Sequence, residues 1–313
     1  MLFDAPDAAE PAGEFPLSPT AHRQGDLWQI RLPGVGHGAL YAWRIEAPEW
    51  DAQRWVIDPY ASAIATARRW GETRGLVAGH WPERGAAFPK CVVVDDSLYD
   101  WQGDHPPRRP LSDTVVYEVH LRAFTAHPSA RAAAPGTYAA FAERIPYLRD
   151  LGITAVELLP LHEFDEMELW IENGPRRHLR NLWGYSPIAW FAPNSRYAAD
   201  SQPAAAVNEF RDLVRALHAE GIEVWLDVVF NHTAEGGQHG PVYTFKALDR
   251  HLYYIHKPGT DEFADFTGCG NTVSANEPVV ADVIVDCLRR WVREFHVDGF
   301  RFDLAAALTR GPD

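Results

Sequence analysis

From residue 112 onward the chain repeats one unit: an amphipathic helix followed, in two of three copies across a glycine, by a short strand that is apolar at nearly every position. Tyr138, Phe141, Ile145, Leu148 and Leu151 fall three and four apart, Gly152 follows, and residues 153–159 form the apolar run behind it. Val207, Phe210, Leu213, Val214 and Leu217 precede Gly221 and residues 222–229, and Val280, Ile284, Cys287, Trp291 and Phe295 precede residues 297–303. Apolar residues at that spacing mark one face of a helix, and strands without polar alternation are covered on both faces. With residues 115–121 as a first strand, four strands separated by helices predict a parallel sheet in an α/β fold. Pro146 lies inside the first helical pattern, where its missing N–H works against a continuous helix.

Two topologies satisfy that pattern. A doubly wound sheet usually carries a glycine-rich phosphate turn after its first strand, and none follows Leu121. The long connections, residues 160–203 and 230–278, both leave the C-terminal end of a strand, where an α/β barrel carries its active site. We therefore expect the first half of a (β/α)8 TIM barrel over residues 111–313, and a chain that is a piece of a longer one. Residues 1–110 differ in texture: short β-like pieces divided by Pro and Gly. Residues 27–32 and 39–45 alternate and read as a hairpin across 33–38, residues 91–94 as a further strand, and the proline-rich 104–110 as the exit linker.

Composition removes several functions. The net charge of -14 disfavours nucleic acid or an anionic membrane surface as the main partner. No apolar run approaches the 18 or so residues of a membrane span, and residues 1–10 lack the basic and apolar pattern of a secretory signal, so the expected location is the cytoplasm. Cys91, Cys269 and Cys287 show no CxxC spacing, which predicts reduced thiols and no metal centre. Aromatic residues make up 12% of the chain, and those in loops read either as core or as platforms for a flat, neutral ligand.

Arg301 and Asp303 are two residues apart on the last strand, hence on one face and, in a barrel, turned inward. A guanidinium beside a carboxylate keeps it ionised, as a nucleophile requires, although the same pair also serves as a structural ion pair. Asp227, Asn231 and His232 end the preceding strand and bring hydrogen-bonding groups to the same opening.

The two stretches Asp227-Val228-Val229-Phe230-Asn231-His232 and Gly299-Phe300-Arg301-Phe302-Asp303, about 70 residues apart on successive strands, resemble two signature regions of the α-amylase family of retaining glycoside hydrolases, glycoside hydrolase family 13. The resemblance implies that Asp303 is the catalytic nucleophile and Arg301 its charge partner. It also implies that His232 contacts the sugar, with Asp227 and Asn231 in support. The segments 114–120, 152–166, 181–187 and 267–272 are similar to isoamylase and bacterial glycogen debranching enzymes, in which Tyr185 corresponds to an aromatic platform under the sugar. Residues 40–45 and 55–61 resemble the end of the β-sandwich glucan-binding module that precedes such barrels, here expected to be partial.

The implied activity is hydrolysis of α-1,6 branch linkages, with glycogen or a branched α-glucan as partner and no cofactor. Calcium enters by family analogy alone, since no acidic loop of ligand spacing indicates it. The resemblance places the acid/base on the strand after Asp303. Glu157, Glu163 and Asp165 belong to the second strand and its loop and do not replace it. Alternatives are a glycogen branching enzyme, a maltooligosyltrehalose trehalohydrolase, or a non-catalytic glucan-binding protein.

Overall fold

The computed structural model describes residues 1–25, 27–46, 53–66, 82–168 and 179–311, so the tryptophans Trp50, Trp70, Trp81 and Trp170 lie outside the described residues. The N-terminal part holds β1 (Leu2–Phe3), β2 (Arg23–Gln24), β3 (Leu27–Trp28), β4 (Leu40–Tyr41), β5 (Ile64–Ala65) and β6 (Lys90–Val92). Four of these form an antiparallel sheet in the order β1-β4-β6-β5, while β2 and β3 pair in a separate ribbon. The expected hairpin between residues 27–32 and 39–45 therefore does not form. Pairing on both sides, with β1 and β6, buries Leu40, whereas Leu27 and Trp28 stay exposed in the ribbon. Phe3, Trp55 and Phe88 pack in tilted and edge-on contacts in the core beside this sheet, at 4.9 and 5.7 Å between rings. The buried Lys90 ammonium spans their edge and donates to the carbonyls of Gly85 and Phe88 at 3.0 and 2.7 Å. Burial lowers its pKa to about 8.

The second part begins with β7 (Val116–Val119) and α1 (Leu121–Ala126), followed by α2 (Tyr138–Ala142), α3 (Ile145–Asp150) and β8 (Ala155–Leu158). Then come a hairpin of β9 (His162–Phe164) and β10 (Pro187–Pro193), α4 (Ala205–Ala219), β11 (Glu223–Val228), α5 (Phe245–Tyr253), α6 (Pro278–Phe295) and β12 (Gly299–Phe302). The four strands β7, β8, β11 and β12 lie parallel in chain order. Sequential order without a reversal is the barrel topology, and the sheet is the first half of a (β/α)8 barrel. Tyr138 from α2, Phe210 from α4, and Trp291 and Phe295 from α6 pack ring against ring at 4.7 to 5.7 Å, tying the helices into one layer over the sheet.

Pro146 divides the expected first helix. It takes the first turn of α3, where its missing N–H is one of the groups left without an intrahelical partner anyway, and the break falls at Glu143 and Arg144. Gly152 and Gly221 end α3 and α4 in the left-handed conformation, at φ 82° and 71°. The third repeat uses His296 there instead, at φ 54°.

The proline-rich segment 104–110 is also not a free linker. The Asp104 side chain is buried and accepts from His218 Nδ1 at 3.0 Å and His296 Nδ1 at 2.6 Å. Arg109 donates its backbone N–H to Glu223 at 2.8 Å, closing the N-terminal end of the sheet. Upstream, Asp96 is paired with Arg211 and Arg290, and Tyr99 donates to Asp212 at 2.8 Å. Residues 96–109 thus strap across α4 and α6.

Candidate active site

The parallel register fixes which side chains share the inner face. Glu118, Glu157, Trp225 and Gly299 form one row, and Asp227 and Arg301 lie opposite each other one step closer to the strands' C-terminal ends. Gly299 has a steric reason to be glycine: a Cβ there would lie 2.9 Å from the Trp225 ring. Asp303 continues β12, its N–H donating to the carbonyl of Val228 at 3.0 Å. It is two residues past Arg301 and so points the same way.

Arg301 Nη1 bridges two carboxylates, Asp227 at 2.9 and 3.1 Å and Asp303 at 3.1 Å. Asp227 is 3% exposed and Asp303 23%, so the pair has one sealed and one accessible member. Tyr185 donates its hydroxyl to Asp227 at 2.5 Å. Burial and the nearby carboxylate of Asp227 push the Tyr185 pKa up, so its proton stays on this donor. Burial also pushes Asp227 upward, with Tyr185 and Arg301 working against the shift. The hydrogen bond to Asp227 leads the effects that raise the Arg301 pKa, and its guanidinium stays charged.

Asn231 donates its amide to Asp303 twice, to the backbone carbonyl at 2.8 Å and to Oδ2 at 2.9 Å. Arg301 holds Oδ1 while Asn231 holds Oδ2, so the Asp303 carboxylate is fixed in plane. His232 is buried, with Nδ1 2.5 Å from Asn231 Oδ1 and Nε2 2.8 Å from the carbonyl of Tyr185. Burial lowers its pKa, so the ring is neutral at pH 7 and carries one proton for these two contacts. All six residues expected from the sequence therefore meet at one place.

Two further features join these six at the site. Exposed Trp183 sets its ring edge-on to Tyr185 at 6.2 Å, and Glu157 adds a carboxyl to the inner face. Burial, then the charges of Asp227 and Glu118, raise the Glu157 pKa. The inward alternation of 155, 157 and 159 would have pointed to Glu157. Glu163 and Asp165 are fully enclosed and paired with Arg196, which removes them from acid/base work at this face. The segment 267–272 packs against the chain just after His232. Asn271 bonds the N–H and carbonyl of Thr233 and the carbonyl of Gly236, at 3.0 to 3.1 Å. Gly270, at φ 93°, lies so close to Gly237 that a Cβ would come within 2.5 Å of its nitrogen. Among the described residues, no group of three or more His, Cys, Asp and Glu side chains is arranged to hold a metal ion.

A half barrel with a charged carboxylate–guanidinium row at the C-terminal ends of its strands is the scaffold of a barrel enzyme with its site at that face. Residues 123–313 match the family described as Alpha amylase, catalytic domain, and residues 2–61 match Carbohydrate-binding module 48 (Isoamylase N-terminal domain). The chain belongs to the α-amylase family. It is 43% identical to Isoamylase 1, chloroplastic, of Oryza sativa subsp. japonica, over 97% of this chain and 38% of that protein. It is also 43% identical to the glycogen debranching enzyme of Klebsiella pneumoniae (strain 342), over 93% of this chain and 45% of that one. A crystal structure of pullulanase from Paenibacillus barengoltzii in complex with maltohexaose and α-cyclodextrin superposes with a TM-score of 0.78 at 28% identity, covering 98% of this chain and 45% of the pullulanase. The chain thus spans about two fifths of the length of the curated relatives it matches.

Proposed function

We propose that these residues form part of an α-1,6-glucan debranching hydrolase that acts on glycogen or a similar branched α-glucan with retention. The observation that carries the reading is the clamp on Asp303, with Arg301 at one carboxylate oxygen and Asn231 at the other. An in-plane carboxylate held by a guanidinium and an amide at the open end of a barrel is prepared for attack on an anomeric carbon. In the first step an Asp303 oxygen bonds to that carbon as the glycosidic C–O bond breaks and the leaving oxygen takes a proton from the acid/base. In the second step water, deprotonated by the same acid/base, attacks the anomeric carbon and frees Asp303. In this family the acid/base stands on the strand after the nucleophile's, beyond residue 313. Asp227 holds Arg301, and Tyr185, fixed through its hydroxyl, offers its ring to the sugar. His232 engages a sugar hydroxyl by exchanging the Tyr185 carbonyl at Nε2.

Relatives support this reading by name, as isoamylases and glycogen debranching enzymes. A cytoplasmic location is part of the same proposal, supported by three cysteines that are all unpaired, and subcellular fractionation tests it. The activity test uses the whole parent protein on branched glycogen, linear maltodextrin and maltooligosyl-trehalose; residues 1–313 alone, without the acid/base, should cleave none of the three. Debranching predicts cleavage of the first alone, and Asp303→Asn should lower it at least about a thousandfold with glucan affinity little changed. A folded Asp303→Asn protein with near-normal turnover would remove Asp303 from the mechanism.

A further inference from the structure

The N-terminal module meets the barrel through the segment that ends in Tyr60. Asp58 fixes it by accepting from the Tyr41 hydroxyl at 2.9 Å, from Trp43 Nε1 at 3.0 Å, and from the Tyr60 N–H at 2.8 Å. Tyr60 is thereby held out from the module. One face of its ring lies against Phe191 of β10 at 4.6 Å, and its hydroxyl donates to Asp286 of α6 at 3.2 Å. Tyr60 remains 43% exposed although it joins the module to the barrel. Beside it opens a cleft of about 420 Å3, lined by Tyr60 and Phe191 together with Asp286, Arg289, Arg293 and Glu294 of α6. That volume is within the roughly 300–1,000 Å3 of small-molecule sites. No member of the Asp303 site lines it.

We propose that this cleft is a second binding site for a segment of neutral α-glucan, seated on the ring of Tyr60. The ligand class rests on the proposed function above; the site does not. A pyranose presents a C–H face that stacks on an aromatic ring, and a rim of hydroxyls that suits planar forks such as guanidinium and carboxylate. Both are here. Arg290 on the cleft wall is committed to Asp96 at 2.7 and 3.2 Å, and Arg289 to Asp286 at 3.2 Å. The neighbouring Arg293 and Glu294 side chains, a donor and an acceptor, make no hydrogen bond or ion pair with another described residue.

Charge selects a neutral ligand over an anion. Arg289, Arg290 and Arg293 are matched by Asp286, Glu294 and the Asp96 carboxylate already on Arg290, leaving no excess positive charge to hold a phosphate. A site of this kind would anchor one chain of a branched polymer on the outer wall of the barrel while another reaches Asp303.

Calorimetric titration of the purified protein with maltoheptaose, and retention in glycogen-containing native gels, test it. Tyr60→Ala should weaken glycogen retention by about fivefold or more and remove one class of maltoheptaose site. Tyr60→Phe, which keeps the ring, should bind as the parent does, and Arg293→Ala should weaken binding several-fold without touching the module contact. Turnover on a small branched oligosaccharide should not change in any of them. Parent-like binding in both Tyr60→Ala and Arg293→Ala would overturn the proposal, as would displacement of maltoheptaose from this site by millimolar inorganic phosphate. Tyr60-dependent maltoheptaose binding in a protein that cleaves no branch point would leave the site standing and remove only the proposed activity.

Discussion

Asp227 and Asp303 are both carboxylates on Arg301, yet their surroundings give them different work. Asp227 is sealed under Tyr185 and the guanidinium, whereas Asp303 keeps an open side, as the nucleophile of the proposed mechanism needs. Arg301→Lys should therefore lower kcat by at least about tenfold while leaving KM nearly unchanged, because the lysine nitrogen stops one bond short of the Nη1 position that bridges both carboxylates. Steady-state kinetics on a branched oligosaccharide would show it. His232→Ala should be milder, about 1 to 3 kcal/mol in kcat/KM, the range for one lost hydrogen bond.

His218 carries a pH signature of its own. Its Nδ1 faces Asp104 at 3.0 Å and its Nε2 faces Asp298 at 2.9 Å, and two acceptor-only carboxylates require two N–H donors, hence an imidazolium. Burial works against the charge, but Asp298 and Asp104 outweigh it and the pKa is raised. Because the folded pKa lies above the unfolded value of about 6.5, this contribution is complete below that pH and fades as pH rises through the folded pKa. Tm measured against pH should fall on the alkaline side in the parent. In His218→Asn that fall should be reduced; an unchanged slope would contradict the imidazolium assignment.

At the level of elements, β12 and β11 depend on a missing side chain. Gly299 lets the Trp225 indole lie flat beside β12 and donate to Glu223 at 3.1 Å. Gly299→Ala forces the ring away and should cost about 1 to 3 kcal/mol by overpacking. A lowered denaturation midpoint with a shifted tryptophan emission would register it. The helices show the same dependence on neighbours. Periodicity locates α4 and α6 to within a few residues, since a helix with a stripe of large apolar residues is fixed by burying that stripe. It gives no sign of α5 or of the β9–β10 hairpin, which lie inside long connections. Their order comes from distant contacts: Glu235 accepts the N–H groups of Tyr243, Thr244 and Lys246 at 2.6 to 3.0 Å, and Trp190 of β10 packs on Phe245 at 4.7 Å.

At the scale of the molecule the sheet is open among the described residues: β7 and β12 each have one parallel neighbour there. Val115 and Val116 at one edge and Phe302 and Leu304 at the other are exposed, and such edges template pairing with another chain. Residues 1–313 expressed alone should therefore self-associate, and sedimentation velocity should find oligomers rather than a monomer. The strap is the other global feature. With Asp104 under two histidines and Asp96 under two arginines, the segment between the module and the barrel is held at a defined place on α4 and α6. Asp104→Ala would leave His218 and His296 facing each other without their shared carboxylate and should lower Tm by several degrees.

The repeat of helix, glycine and strand was enough to determine four parallel strands, because the period of apolar residues reports which faces are buried whatever covers them. It also fixed Arg301 and Asp303 on one face, since alternation along a strand is local geometry. The tertiary structure decided what depends on residues far apart in the chain. It set β4 between β1 and β6 rather than against β3, turned a proline-rich linker into a strap, and brought Asn231, Tyr185 and Asp227 around Asp303 and Arg301. Hydrogen bonds between residues 42 to 192 positions apart leave no periodic trace, and only the folded chain brings their partners together.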